Sequence, residues 1–231
     1  MVWKKIRNLL FGLFCSALIL GLMILNCIYQ EQVTAIARSD IPFPYKMHDQ
    51  PLVIHSITGY EGTYMEDGSE REVTDVAAIL VENVGENMLS HANIALYSES
   101  ECFLFYAQSL PPGEKTVLLE KNQQIFIDQK VTSCWASAQY ASCNDLQERF
   151  VHVRVIGMDA LELSNMTDRP IYDLNIYHKT WSKEIGAYLG GICYVTHVEK
   201  LEPGQLVLVK PNHYAYGYSR IICITSAGLS L

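Results

Sequence analysis

Residues Ile79–Ile94 read ILVENVGENMLSHANI, and residues Leu161–Ile176 read LELSNMTDRPIYDLNI. Laid over one another without a gap, Asn83 meets Asn165, Asn93 meets Asn175 and Ile94 meets Ile176. Around these identities Ile79/Leu161, Val81/Leu163 and Leu89/Ile171 stay apolar, and Glu86/Asp168 stays acidic. A second block follows in the same order, Leu110–Glu114 (LPPGE) against Leu201–Gln205 (LEPGQ). Two ordered blocks point to an internal duplication. The offset between the copies grows from 82 to 91, so the second copy carries nine extra residues, within or near Lys179–Glu184.

Each copy has the pattern of antiparallel β structure. Ile79-x-Val81 and Leu161-x-Leu163 alternate apolar with other residues, which places every second side chain on one buried face. Each run then halts at an Asn in polar company, where Asn and Asp bend the chain by bonding nearby backbone. Pro112-Gly113 and Pro203-Gly204 suit a type II turn, proline fixing φ and glycine supplying a positive one. Strands are also expected over Leu52–Ile57, Cys102–Leu110, Val117–Leu119 and Gln124–Trp135. In the second copy they are expected over Phe150–Ile156, Gly186–Val198, Leu206–Val209 and Tyr218–Thr225, with Ala136–Leu146 a short helix or loop between the copies. About six strands per copy, with no amphipathic helix to cover a sheet, must bury their apolar face on another sheet. The expected fold is mainly β: an N-terminal transmembrane helix, then two tandem immunoglobulin-like or fibronectin-like β-sandwiches over residues 51–147 and 148–231.

The repeat (L-x-N, an acidic turn, N-I, then L-x-P-G) resembles that of uncharacterised signal-anchored surface proteins of low-GC Gram-positive bacteria, built of small β-sandwich repeats. The resemblance covers roughly residues 75–225. Its motifs are structural, so it implies an architecture and no activity.

The first thirty residues stand apart. Lys4, Lys5 and Arg7 precede Leu9–Tyr29, twenty-one residues without a charge. As a helix these span roughly 31 Å, enough for a hydrocarbon core of about 30 Å. No Lys or Arg lies between Arg7 and Arg38, which puts the N-terminus inside and the remainder outside. Ala35-Ile36-Ala37 has the small-x-small form of a cleavage site, whereas the apolar run exceeds the usual signal-peptide core. The reading is a retained signal anchor over residues 1–29, single-pass, followed by an extended tether over residues 30–50 that carries Pro42 and Pro44. Beyond the anchor, 14 of the 17 Lys+Arg and all 25 Asp+Glu remain, a net charge of −11. That balance disfavours phosphate backbones, and no nucleic-acid partner is expected.

Candidate chemistry is sparse. An acidic insertion in the first copy, residues 59–75, gathers Glu61, Glu66, Asp67, Glu70, Glu72 and Asp75 around Arg71. It lacks the fixed oxygen spacing of a calcium loop, so it reads as a solvated hairpin tip rather than a cation site. Five cysteines lie outside the apolar segment: Cys102, Cys134, Cys143, Cys193 and Cys223. Cys134 and Cys143 could close a local loop, while Cys193 and Cys223 could bridge or serve as small buried residues. There is no C-x-x-C, no H-E-x-x-H, no G-x-S-x-G and no nucleophile–base pairing, so neither an enzyme nor a metal or cofactor is expected.

Seven of the 14 tyrosines follow residue 170, and Tyr214, Tyr216 and Tyr218 alternate beside His213. On a strand they would share one face, suited either to sheet packing or to recognition. The leading functional expectation is a membrane-anchored extracytoplasmic interaction or structural protein with a protein or glycan partner. The alternative is an envelope-attached small-ligand or carbohydrate-binding module.

Overall fold

The computed structural model describes residues 41–226 except Glu70 and Asp128. The anchor, its cleavage question and the tether up to residue 40 lie outside the described residues. Within them the chain is mainly β, with thirteen strands in several sheets and no helix.

The first half contributes β1 (Tyr45–Lys46), β2 (Leu52–Thr63), β3 (Glu72–Asn83), β4 (Met88–Tyr97), β5 (Cys102–Leu110), β6 (Lys115–Leu119) and β7 (Ser133–Ala141). The second contributes β8 (Val151–Ile156), β9 (Ala160–Asn165), β10 (Ile171–Ser182), β11 (Ala187–Leu201), β12 (Leu206–Val209) and β13 (Ser219–Ser226). Strand order within the halves repeats: β2-β3-β6 and β5-β4-β7 in the first, β8-β9-β12 and β11-β10-β13 in the second. The repeat is not closed on itself. β6 pairs in parallel with β11, Thr116 opposite Tyr188 and Val117 opposite Leu189. One seven-stranded sheet, β1-β2-β3-β6-β11-β10-β13, therefore runs through both halves.

The matched sequence blocks turn out to be two sides of one corner. At the end of β3, Asn83 accepts a bond from Gly85 N at 3.1 Å through its Oδ1 and donates from Nδ2 to Asn87 O and Leu110 O, both at 2.9 Å. Gly113, at φ 73°, donates its N–H to the Asn83 carbonyl at 2.7 Å. Asn165 repeats this: Thr167 N at 2.9 Å, Arg169 O at 2.7 Å, Leu201 O at 2.9 Å, and Gly204, φ 69°, on its carbonyl at 3.1 Å. Both asparagines are buried. A carboxamide is the side chain that can accept from an amide two residues on and still satisfy two carbonyls.

Alternation along the strands places the apolar residues inward. Leu52, Ile54, Ile79, Val81, Leu89, Ile94, Phe103, Phe105, Leu110 and Leu118 meet in one buried cluster. Val151, Leu161, Leu163, Ile171, Leu174, Ile176, Leu201 and Ile224 meet in another. Each fully buried Leu or Ile contributes about 2 kcal/mol of apolar transfer.

The structure departs from three expectations. Residues 41–50 are not a tether: β1 pairs with β2, Ile41 N donates to Val131 O, and Met47 is buried. Ile-x-Phe-x-Tyr packs its alternate side chains on the first cluster, which gives this segment its place. The closing strand of the first half is β7 rather than 124–135, and no helix occupies 136–146. Its half-buried positions are Cys134, Ala136, Ala138 and Tyr140, and small side chains give alternation too little hydropathy contrast to read. Finally, Cys134 and Cys143 are free thiols. Extended β7 separates Cys134 from Ala141 by about 23 Å at 3.3 Å per residue, whereas a disulfide needs Cα atoms within about 7 Å.

Candidate functional site

The two insertions that break the repeat meet where the halves join. β2 and β3 have 12 residues each against 6 in β8 and β9, so their hairpin reaches far beyond its counterpart. β10 and β11, at 12 and 15 residues, likewise outreach β4 and β5, at 10 and 9. The added residues of β11 are those that pair with β6, and Trp181 and Tyr188 join the first-half core. These two rings pack edge to face, their centroids 5.0 Å apart.

The acidic hairpin tip is docked rather than solvated. Buried Tyr64 donates its hydroxyl to Glu120 O and Lys121 O, each at 3.1 Å. Glu66 accepts from Leu119 N at 2.9 Å and from Gly191 N at 3.0 and 2.8 Å, fastening β6 and β11 together. Beside it Lys179, wholly buried, donates its Nζ to Gln108 O at 3.0 Å and Gly191 O at 3.2 Å. Burial lowers the Lys179 pKa to about 8, with Cys193 and Glu66 working against that fall. Burial raises the Glu66 carboxyl, opposed by the Leu119 and Gly191 amides and by Lys179. Gly191 leaves no room for a side chain: a Cβ there would lie 1.7 Å from Tyr106 O.

Two hollows flank Glu66. One, of about 310 Å³, runs over β4 between Leu104 and Trp135, with Tyr106, Asn93 and Lys121 beside it. Ala95 lies opposite both Leu104 and Trp135 in the ladders, so a small residue floors the groove between two large ones. The Trp135 indole is 54% exposed. The other hollow, of about 410 Å³, is formed by Asp67 and Gly68 from the acidic hairpin and by Tyr194, Val195, Asn212 and His213. Its wall is a ring stack. Tyr194 lies on His213 at 4.7 Å between centroids and on His178 at 5.3 Å, with Tyr214 edge-on to His178 at 5.5 Å. Neither ring nitrogen of buried His178 makes a well-formed hydrogen bond. Burial lowers its pKa to about 4; the Asn212 backbone opposes this and His213 adds to it.

The tyrosines of the β12–β13 connection do not share one face. Tyr214 is a core residue at 7% exposure, whereas Tyr216 and Tyr218 are exposed at 57% and 67%. Left-handed backbone at His213, φ 58°, and Gly217, φ 87°, makes this segment a run of turns, so the period of two has no strand to act on. His213 reaches the junction hollow; Tyr216 and Tyr218 are not among its lining residues. Nothing in the amino-acid sequence assigns a role at the junction to Glu66, Lys179, Gly191 or Trp135. The nine-residue insertion was a signal for Lys179, but nothing distinguished Glu66 among six carboxylates. Among the described residues no three His, Cys, Asp or Glu side chains converge as a metal site. No family model matches the chain, and no curated protein matches it.

Proposed function

We propose that this is a membrane-anchored extracytoplasmic interaction or structural protein, single-pass, with two immunoglobulin-like or fibronectin-like sandwich units held as one rigid body. The repeated corner at Asn83 and Asn165 supports two related units. The observation that carries the reading is the β6–β11 junction, where insertions from both units are spent on fixing one against the other. A presenting scaffold gains from such rigidity, because ordering two loosely tethered modules on binding costs affinity. The net charge of −11 beyond the anchor favours protein or glycan partners over nucleic acid. The test is protease added outside intact cells. Digestion that removes a C-terminal tag and spares a tag at the N-terminus is expected; protection of the C-terminal tag overturns the reading.

A second reading, an envelope-attached small-ligand or carbohydrate-binding module, is favoured by the groove over β4. A half-exposed indole beside an amide and an ammonium group suits the alternating apolar and hydroxylated faces of a sugar ring. Titration with oligosaccharides should change Trp135 fluorescence, and Trp135→Ala should abolish the change without altering thermal stability. An unchanged spectrum across a glycan panel removes this reading.

A further inference from the structure

The fold separates some cysteines and joins others. Cys102 lies on β5 and Cys134 on β7, opposite neighbouring residues Tyr97 and Leu96 of β4 from its two sides. Cys193 lies on β11 and Cys223 on β13, with β10 between them. Two strand spacings place each pair about 9–10 Å apart at Cα, beyond disulfide reach. Cys143 differs. The connector between β7 and β8 lies along β13, where Asp145 Oδ1 accepts from Ile224 N at 2.8 Å and Leu146 N donates to Ile224 O at 2.8 Å. Leu146 is buried in the second core, which holds the connector in place. Two residues before Asp145 and one before Ile224, Cys143 and Cys223 are brought side by side by this pairing, near enough for each thiol to shift the other's titration. Cys223 is buried and Cys143 half-buried, so one sulfur is reachable and the other waits beneath it.

We infer that Cys143 and Cys223 are a disulfide-forming pair, a covalent staple tying the connector between the halves to the final strand. The oxidant is a small or protein disulfide. The Cys143 thiolate attacks one of its sulfurs, breaking the S–S bond and releasing one thiol. The Cys223 thiolate then attacks the Cys143 sulfur of the mixed disulfide and releases the second thiol. Two electrons pass from the two cysteines to the oxidant, whose two thiols carry away the two protons. The bond closes a long loop through the whole second half, the kind of closure that constrains the unfolded chain most. Burial raises both thiols above the usual range, so the exchange should quicken as the medium turns alkaline.

The experiment uses the full chain, reduced, desalted and incubated with oxidised glutathione. Free thiols are then counted by maleimide-polyethylene glycol after denaturation, and peptides are mapped without reductant. The expected result is loss of two of the seven thiols, a linked peptide joining 143 to 223, and a melting temperature higher by about 10 °C than that of the reduced chain. Cys134→Ser should behave as the wild type, and Cys143→Ser should give no internal link. Retention of all seven thiols, or linkage of another pair, overturns the inference, and the wild-type map decides this even if a variant misfolds. The same map on protein alkylated inside intact cells reports on export separately. A chain that links with glutathione yet stays reduced in cells supports the pair and overturns the extracytoplasmic reading.

Discussion

β6 and β12 hold the same place in the two copies and meet opposite fates. In β6, Thr116, Leu118 and Leu119 are buried, Thr116 donates its hydroxyl to Gly190 O at 2.9 Å, and the edge pairs with β11. In β12, Leu206 and Leu208 stand 63% and 58% exposed on an edge that pairs with nothing among the described residues. The corner asparagines and inward-facing residues of the two copies match closely, so the core does not explain the contrast. The lengthened hairpins β2–β3 and β10–β11 do. A duplicated core specifies a unit, and unduplicated insertions specify how one unit meets the next.

The comparison breaks hardest at the junction. Glu66→Ala leaves two amides unpaired and Lys179 buried without its neighbouring carboxylate, an expected loss of about 3–5 kcal/mol in urea unfolding. Gly191→Ala drives a Cβ into the Tyr106 carbonyl and should cost about 3 kcal/mol or more. If either variant unfolds within about 1 kcal/mol of wild type, the junction is not what unites the halves. Next come the paired corners. Asn83→Ala and Asn165→Ala each strand two carbonyls and an amide, and each should cost about 2–3 kcal/mol. Equal losses sharpen the equivalence; a twofold difference would show that the copies have diverged in energy as well as in length.

A third contrast lies in pH. His178 titrates near 4 in the folded chain against 6.5 unfolded. Above 6.5 both states are neutral and the residue has no effect. Between 6.5 and 4 the unfolded chain binds the proton and the folded one does not, so stability falls on acidification, and below 4 the loss is complete. The expected loss is about 3 kcal/mol, absent in His178→Phe, which keeps the ring stack and cannot charge. Lys179 has no counterpart charge buried at the equivalent place, and it acts in the alkaline range. Its folded pKa of about 8 lies below the unfolded 10.5, so stability should rise with pH across that window in wild type and not in Lys179→Met. Denaturant curves at matched pH values check both slopes. The smallest effect belongs to the exposed edge. Leu206→Lys with Leu208→Lys should change stability by no more than about 0.5 kcal/mol, and sedimentation should show no gain in association.

The parts of the fold legible in the sequence were those carried by short-range chemistry. Asn83, Asn165, Gly113 and Gly204 announced themselves because each performs a backbone task that few residues can, and it performs it within a few positions of its own turn. The candidate site was far less legible. Glu66 became important by bonding an amide 125 residues away, and a carboxylate that does so looks like any other in a charged loop. Tyr214, Tyr216 and Tyr218 misled through their spacing, since two left-handed residues turned a presumed strand into a bend. β7 was displaced for the converse reason, its alternation being written in alanines and serines.

By itself, then, the sequence determined the β character, the two matched corners and the places where the copies differ in length. Hydropathy period and turn chemistry are local, and the two copies state them twice. Only the tertiary structure decided that both insertions converge on β6 and β11, that Lys179 is buried there beside Glu66, and that Cys143 meets Cys223 rather than Cys134. Those facts depend on how far an extended hairpin reaches and which edge it finds, a matter of three-dimensional distance that no spacing along the chain records.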